Sequence, residues 1–158
     1  MKKVVIPVLV FFGLMVGAIV VFVGIRFSQV QYEKDTQAHF MAIAQDGEMT
    51  AVCGDQTTLV SPDNWGRAQW LLTITERKSL MFKPDASLDG AVVFSLSDGT
   101  EYTIATDESA EDSVYICYAF EGREKWFRVE GYDIMNWAMR VASPEGVYAP
   151  NEVIEPEA

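Results

Sequence analysis

One histidine and two cysteines are all the imidazole and thiol this 158-residue chain carries. A Ser-His-Asp or Cys-His catalytic device would have to use His39, and the two cysteines, Cys53 and Cys117, are too far apart to form the C-x-x-C pair of a dithiol redox enzyme. The chain holds no H-E-x-x-H, no G-x-S-x-G, no Walker loop and no dinucleotide fingerprint. Positive charge is also scarce. All 23 acidic residues lie beyond residue 25 with only ten Lys and Arg, which leaves that part at net −13. A field of that sign repels phosphate backbones and anionic lipid headgroups, so neither nucleic acid nor peripheral lipid binding is expected. Internal repeats and low-complexity segments are missing as well.

Charge is wholly lacking from one stretch. Residues 4–25 contain no charged side chain and no side-chain amide. As a helix they would span about 33 Å, enough for a hydrocarbon core of about 30 Å. The run is longer than the apolar part of a cleavable export signal, and no Ala-x-Ala-like site follows it. No cysteine sits just after it to take a lipid. It reads as an uncleaved transmembrane signal anchor. Lys2, Lys3 and the amino terminus precede it, against Arg26 and Lys34 after it, which favours a cytoplasmic N-terminus and an extracytoplasmic domain at the cell membrane. Gly13 and Gly17 form a G-x-x-x-G spacing, a candidate helix–helix contact.

Beyond the anchor the aromatic content is too high for a disordered tail. Residues 26–46 lack Gly and Pro and are expected as a helical juxtamembrane stalk, with Phe40, Met41, Ile43 and Ala44 docking on the domain. Residues 47–143 are expected to form that domain, and 144–158 an acidic, loose tail. Met49–Cys53 and Gln56–Val60 flank Gly54-Asp55 as a hairpin. Ser61-Pro62-Asp63 starts a helix, with Ser as N-cap, Pro at the first position and Asp in the first turn. Its apolar stripe is Trp65, Ala68, Leu71, Leu72 and Thr75, with Arg77 and Lys78 at its end.

Two further hairpins can be tested by register. A two-residue Asp98-Gly99 turn would split the apolar sets of 92–96 and 102–106 between faces. A three-residue Ser97-Asp98-Gly99 loop instead pairs Phe94 with Tyr102 and Val92 with Ile104, with Gly99 left-handed. A Glu121-Gly122 turn pairs Val114 with Val129, Ile116 with Phe127 and Tyr118 with Lys125. Both sheet faces then carry apolar groups, so helices are expected over one face and part of the other. Tyr132–Ala142 closes the domain as a helix. The expected class is α+β: a transmembrane helix, then a small, mostly antiparallel sheet with two helices.

No catalytic, cofactor-binding or metal-ligating residue can be named, and no cofactor is implied. Cys53 and Cys117 are either a disulfide, as an oxidising compartment allows, or two packed thiols. Asp107, Glu108, Glu111 and Asp112 read as a solvated acidic turn, without the spacing of a calcium loop. Trp65 and Trp137 fall on core stripes; Trp70 and Trp126 do not, which makes them the candidate contact surface. The expected function is a single-pass, non-enzymatic binding or accessory-subunit module, partnered through its membrane helix or its exported domain. The alternatives are a tethered hydrolase using paired carboxylates, for which 23 acidic residues nominate no pair, or a membrane-side sensor acting through helix pairing.

Overall fold

A computed structural model describes residues 2–72, 77–110, 112–130 and 134–143. The first element, α1, is one unbroken helix from Lys2 to Asp46. At about 1.5 Å per residue it is about 68 Å long. Pro7 lies one turn inside it, where it forfeits a single backbone bond. The two halves of α1 live in different surroundings. From Ile6 through Gly24 every residue is exposed, and the most apolar window has no burial at all. From Tyr32 onward one face turns inward: Tyr32, Thr36, Phe40 and Ile43 are all buried. Their spacing of four, four and three residues is that of a single helical stripe.

After α1 come β1 (Met49–Cys53), β2 (Gln56–Leu59), α2 (Pro62–Leu72), β3 (Arg77–Ser79), β4 (Val92–Leu96), β5 (Glu101–Thr106), β6 (Ser113–Phe120), β7 (Arg123–Glu130) and α3 (Ile134–Ala142). The seven strands form one antiparallel sheet in the order β2-β1-β4-β5-β6-β7-β3. The class is therefore α+β. Thr75 of the expected helix stripe, the helix start at Tyr132, Glu111 and the tail 144–158 lie outside the described residues.

The turns follow from local chemistry. Ser61 Oγ accepts from the Asp63 amide at 3.3 Å, capping α2 behind Pro62. Phe94 pairs with Tyr102 and Val92 with Ile104 across the three-residue loop, and Gly99 has φ +82°. Val114, Ile116 and Tyr118 face Val129, Phe127 and Lys125. There the turn takes both central residues to positive φ, Glu121 at 49° and Gly122 at 73°, the type I′ geometry that matches strand twist.

Register sorts the sheet into two faces. Met49, Ala51, Phe94, Tyr102, Ile104, Ile116, Tyr118 and Phe127 share one face, and they belong to a single core with buried residues of α1, α2 and α3. All three helices thus cover the same face. The expectation of helices on part of the second face is corrected: Ala105, Cys117 and Trp126 are buried there without helical cover. Residues 80–91 link edge strand β3 to β4 and must pass β7, β6 and β5. Lys83 lies 5.4 Å from the Trp126 ring centre, so this strap runs over the outer face.

Candidate functional site

The feature that sets this molecule apart is the seam where α1 leaves its exposed half and enters the domain. Arg77, on β3, organises its first turn. Gln29 Nε2 donates to the Arg77 carbonyl at 2.9 Å, and the Arg77 guanidinium donates to the Gln29 carbonyl at 3.4 Å. The same guanidinium meets the Glu33 carboxylate at 2.9 Å and lies 4.4 Å over the Tyr32 ring. Burial lowers the Arg77 pKa from its ordinary value, and the neighbouring Tyr32 and Glu33 act in the opposite direction.

One turn on, Tyr32 is the centre of an aromatic cluster. Its ring meets Phe127 at 4.3 Å, Tyr118 at 5.6 Å and Tyr102 at 6.4 Å between centres. Its hydroxyl donates to the Leu72 carbonyl at 2.8 Å, tying α1 to the end of α2. Burial drives its own pKa upward. Thr36 Oγ1 donates back to the Tyr32 carbonyl at 2.7 Å, so its hydroxyl enters the core satisfied. Beyond it His39, expected in a stalk away from the strands, instead packs on them. Its Nε2 lies 3.2 Å from Asp98 Oδ2 and its Nδ1 3.5 Å from the Tyr118 hydroxyl, with the ring against Tyr118 and Phe120. Part of residues 26–46 therefore packs on the domain, through Tyr32, Thr36, His39, Phe40 and Ile43. Of the expected docking patch, Phe40 and Ile43 are buried while Met41 and Ala44 face outward.

Gly13 and Gly17 stand on the exposed half, where an added Cβ at either would meet nothing within 4 Å. At about 100° per residue, Gly13, Gly17 and Gly24 fall within about 40° of one another around the helix. The disulfide weighed from the sequence is not formed; both thiols are free. Cys53 shares the inner face with Val92, whereas Cys117 pairs with Trp126 on the outer one. They are also three strands apart, about 14 Å at about 4.8 Å per strand, well outside disulfide reach. Burial, with the Glu124 charge adding to it, pushes the Cys117 thiol up to about 12. That makes it a packing group rather than a nucleophile.

The structure does not bring the expected contact residues Trp70 and Trp126 together. Trp126 is only 7% exposed and lies under Lys83 on the outer face; Trp70 is 46% exposed on α2, its ring 5.8 Å from Trp137. The two belong to opposite faces of the sheet. In the acidic turn Glu108 and Asp112 are exposed as expected, and Asp107 departs from expectation. Asp107 is buried and accepts from the Ser109 amide and hydroxyl, from Ser113 Oγ at 2.9 Å and from Arg128 Nε at 2.6 Å. Sequence reasoning missed it because nothing local distinguishes it from its acidic neighbours; the partner that selects it is Arg128, a distant residue.

Among the described residues no three His, Cys, Asp or Glu side chains cluster as metal ligands. A recess of about 320 Å³ beside α1 carries Asp35 and Glu121, but Asp35 already accepts from Gln31 at 2.7 Å and lies 4.0 Å from Lys125. Fold and seam together define an α+β domain packed on the continuation of an apolar helix long enough to cross a membrane. No protein-family model matches the chain, and no curated protein or solved structure matches it either.

Proposed function

We propose that this chain is a single-pass, non-enzymatic accessory subunit of a membrane assembly, with its N-terminus in the cytoplasm and its domain outside. The observation that carries the proposal is the continuity of α1: the half that is exposed and apolar and the half that packs on the domain are one helix, with no Gly or Pro between residues 25 and 46. A flexible tether would let the domain sample many orientations. A helix sewn in at Gln29, Tyr32, Thr36 and His39 fixes the domain relative to the helix itself, which suits a subunit positioned through its membrane helix.

The glycine stripe of Gly13, Gly17 and Gly24 offers the surface for such a neighbour, because small residues let a second helix approach closely. The basic N-terminal flank supports the orientation. The test is assembly in native membranes: Gly17→Ile in the full-length chain should abolish or strongly reduce cross-linked oligomers or co-purifying membrane partners. Met15→Ile, on the opposite side of the helix, should leave them intact. Equal assembly in wild type and Gly17→Ile would remove helix pairing from the proposal. For orientation, a cysteine placed at Leu59 should react with a membrane-impermeant reagent in intact cells; protection until lysis would reverse the topology.

A further inference from the structure

Large apolar side chains left in the open need an explanation where they gather beside an apolar helix. The strap 80–91 begins with such a group: Met81 is 66% exposed and Phe82 81%, the latter the most exposed of the large apolar side chains described. They follow β3 after the single residue Leu80. A shallow recess of about 270 Å³ joins Ser79, Leu80 and Met81 to Val21, Gly24, Ile25 and Ser28 of α1. The start of the strap therefore lies beside the last turn of the apolar run.

Depth can be worked out from this contact. Counted at about 1.5 Å per residue from Val4, a hydrocarbon core of about 30 Å ends near residue 24. Val21 to Ile25 spans about 6 Å of helix across that boundary. Headgroups occupy roughly the next 5–7 Å on each side. Met81 and Phe82 thus fall at the junction of acyl chains and headgroups. Arg26 and Phe27 (71% exposed) follow Ile25 directly on α1, and Lys83 follows Phe82 in the strap. An exposed apolar pair followed in sequence by a long basic side chain is a composition that interfacial elements use.

We infer that Met81 and Phe82 form a keel that dips into the outer boundary of the same bilayer that α1 spans. The keel supplies a second point of contact beside the helix. One helix fixes the domain's height but leaves it free to rotate about the helix axis and to tilt; two contacts set which edge of the sheet faces the lipid. That edge is β3, and the opposite edge, β2, is held about 29 Å away at about 4.8 Å per strand. The inference rests on α1 being a membrane span, so the test must separate the two.

The full-length chain, with Cys53→Ser and Cys117→Ala, is spin-labelled in turn at Phe82→Cys, Val20→Cys and Leu59→Cys and reconstituted into phosphatidylcholine vesicles. Collision with oxygen, which concentrates in lipid, is compared with collision with a water-soluble nickel chelate. Position 20 should favour oxygen and position 59 nickel. The keel requires position 82 to favour oxygen several-fold over position 59. A value at 82 equal to that at 59, with 20 still buried in lipid, overturns the keel while leaving the anchor in place. A label at 82 that is immobilised and reached by neither reagent identifies a protein contact and also overturns it. Nickel access at position 20 overturns the anchor, and the keel with it.

Discussion

Asp107 shows how one side chain can hold a turn. Burial alone would raise its pKa, but the Ser109 hydroxyl and amide, Arg128 and Ser113 all stabilise the charged form, and together they hold it well below the usual carboxylate range. Its folded pKa is depressed, so its contribution is present above the unfolded value of about 3.9 and is lost as the pH falls below it. Urea unfolding at neutral pH should show Asp107→Asn less stable by about 1.5–3 kcal/mol, the range for hydrogen bonds to a charged group. The gap should close as the pH is taken below about 4. A constant gap from neutral to acid pH would show that ionisation of Asp107 is not what matters. Glu121 is the contrasting residue: its φ of 49° is the one positive value at a non-glycine among the described residues, accepted because the β6–β7 turn demands it.

Among the elements, α1 decides most. Tyr32 carries its grip through ring contacts with three aromatic residues and a hydroxyl bond to α2. Tyr32→Ala should cost about 3–5 kcal/mol in unfolding followed by tryptophan fluorescence, and Tyr32→Phe only about 1 kcal/mol. Equal losses would assign the grip to the hydroxyl instead of the ring. The Tyr32-Thr36-Phe40-Ile43 stripe was present in the residues, yet Phe40, Met41, Ile43 and Ala44 were the more conspicuous patch, and only the sheet reveals which side is inward. The two later hairpins were legible because a period of two allows one register in which the apolar sets coincide. Strand β3 was not legible. It is three residues long, two of them basic, and its place depends on β7 and on the distant Glu33 of α1. Arg77 and Lys78 therefore looked like a helix end. The cysteines failed for a related reason: their opposite faces follow only once β1 is known to pair with β4, a contact between segments separated by a helix and a strap.

At the scale of the whole molecule, the chain is a lever with its fulcrum inside the domain. About half of α1 stands clear and the other half packs one face on the domain, so force or rotation applied to one is felt by the other. On the proposed anchoring, helix pairing at Gly13 and Gly17 would fix the azimuth of the sheet, and the β3 edge with Met81 and Phe82 would face the lipid. The most direct test is hydrogen exchange of the full-length chain in lipid nanodiscs, read residue by residue along α1. Continuous slow exchange from Val20 through Ile43, with no break where the apolar run gives way to Arg26 and Gln29, is the result expected of one rigid helix. A window of fast exchange at residues 26–31, between two protected halves, would mean a hinged tether and would contradict it.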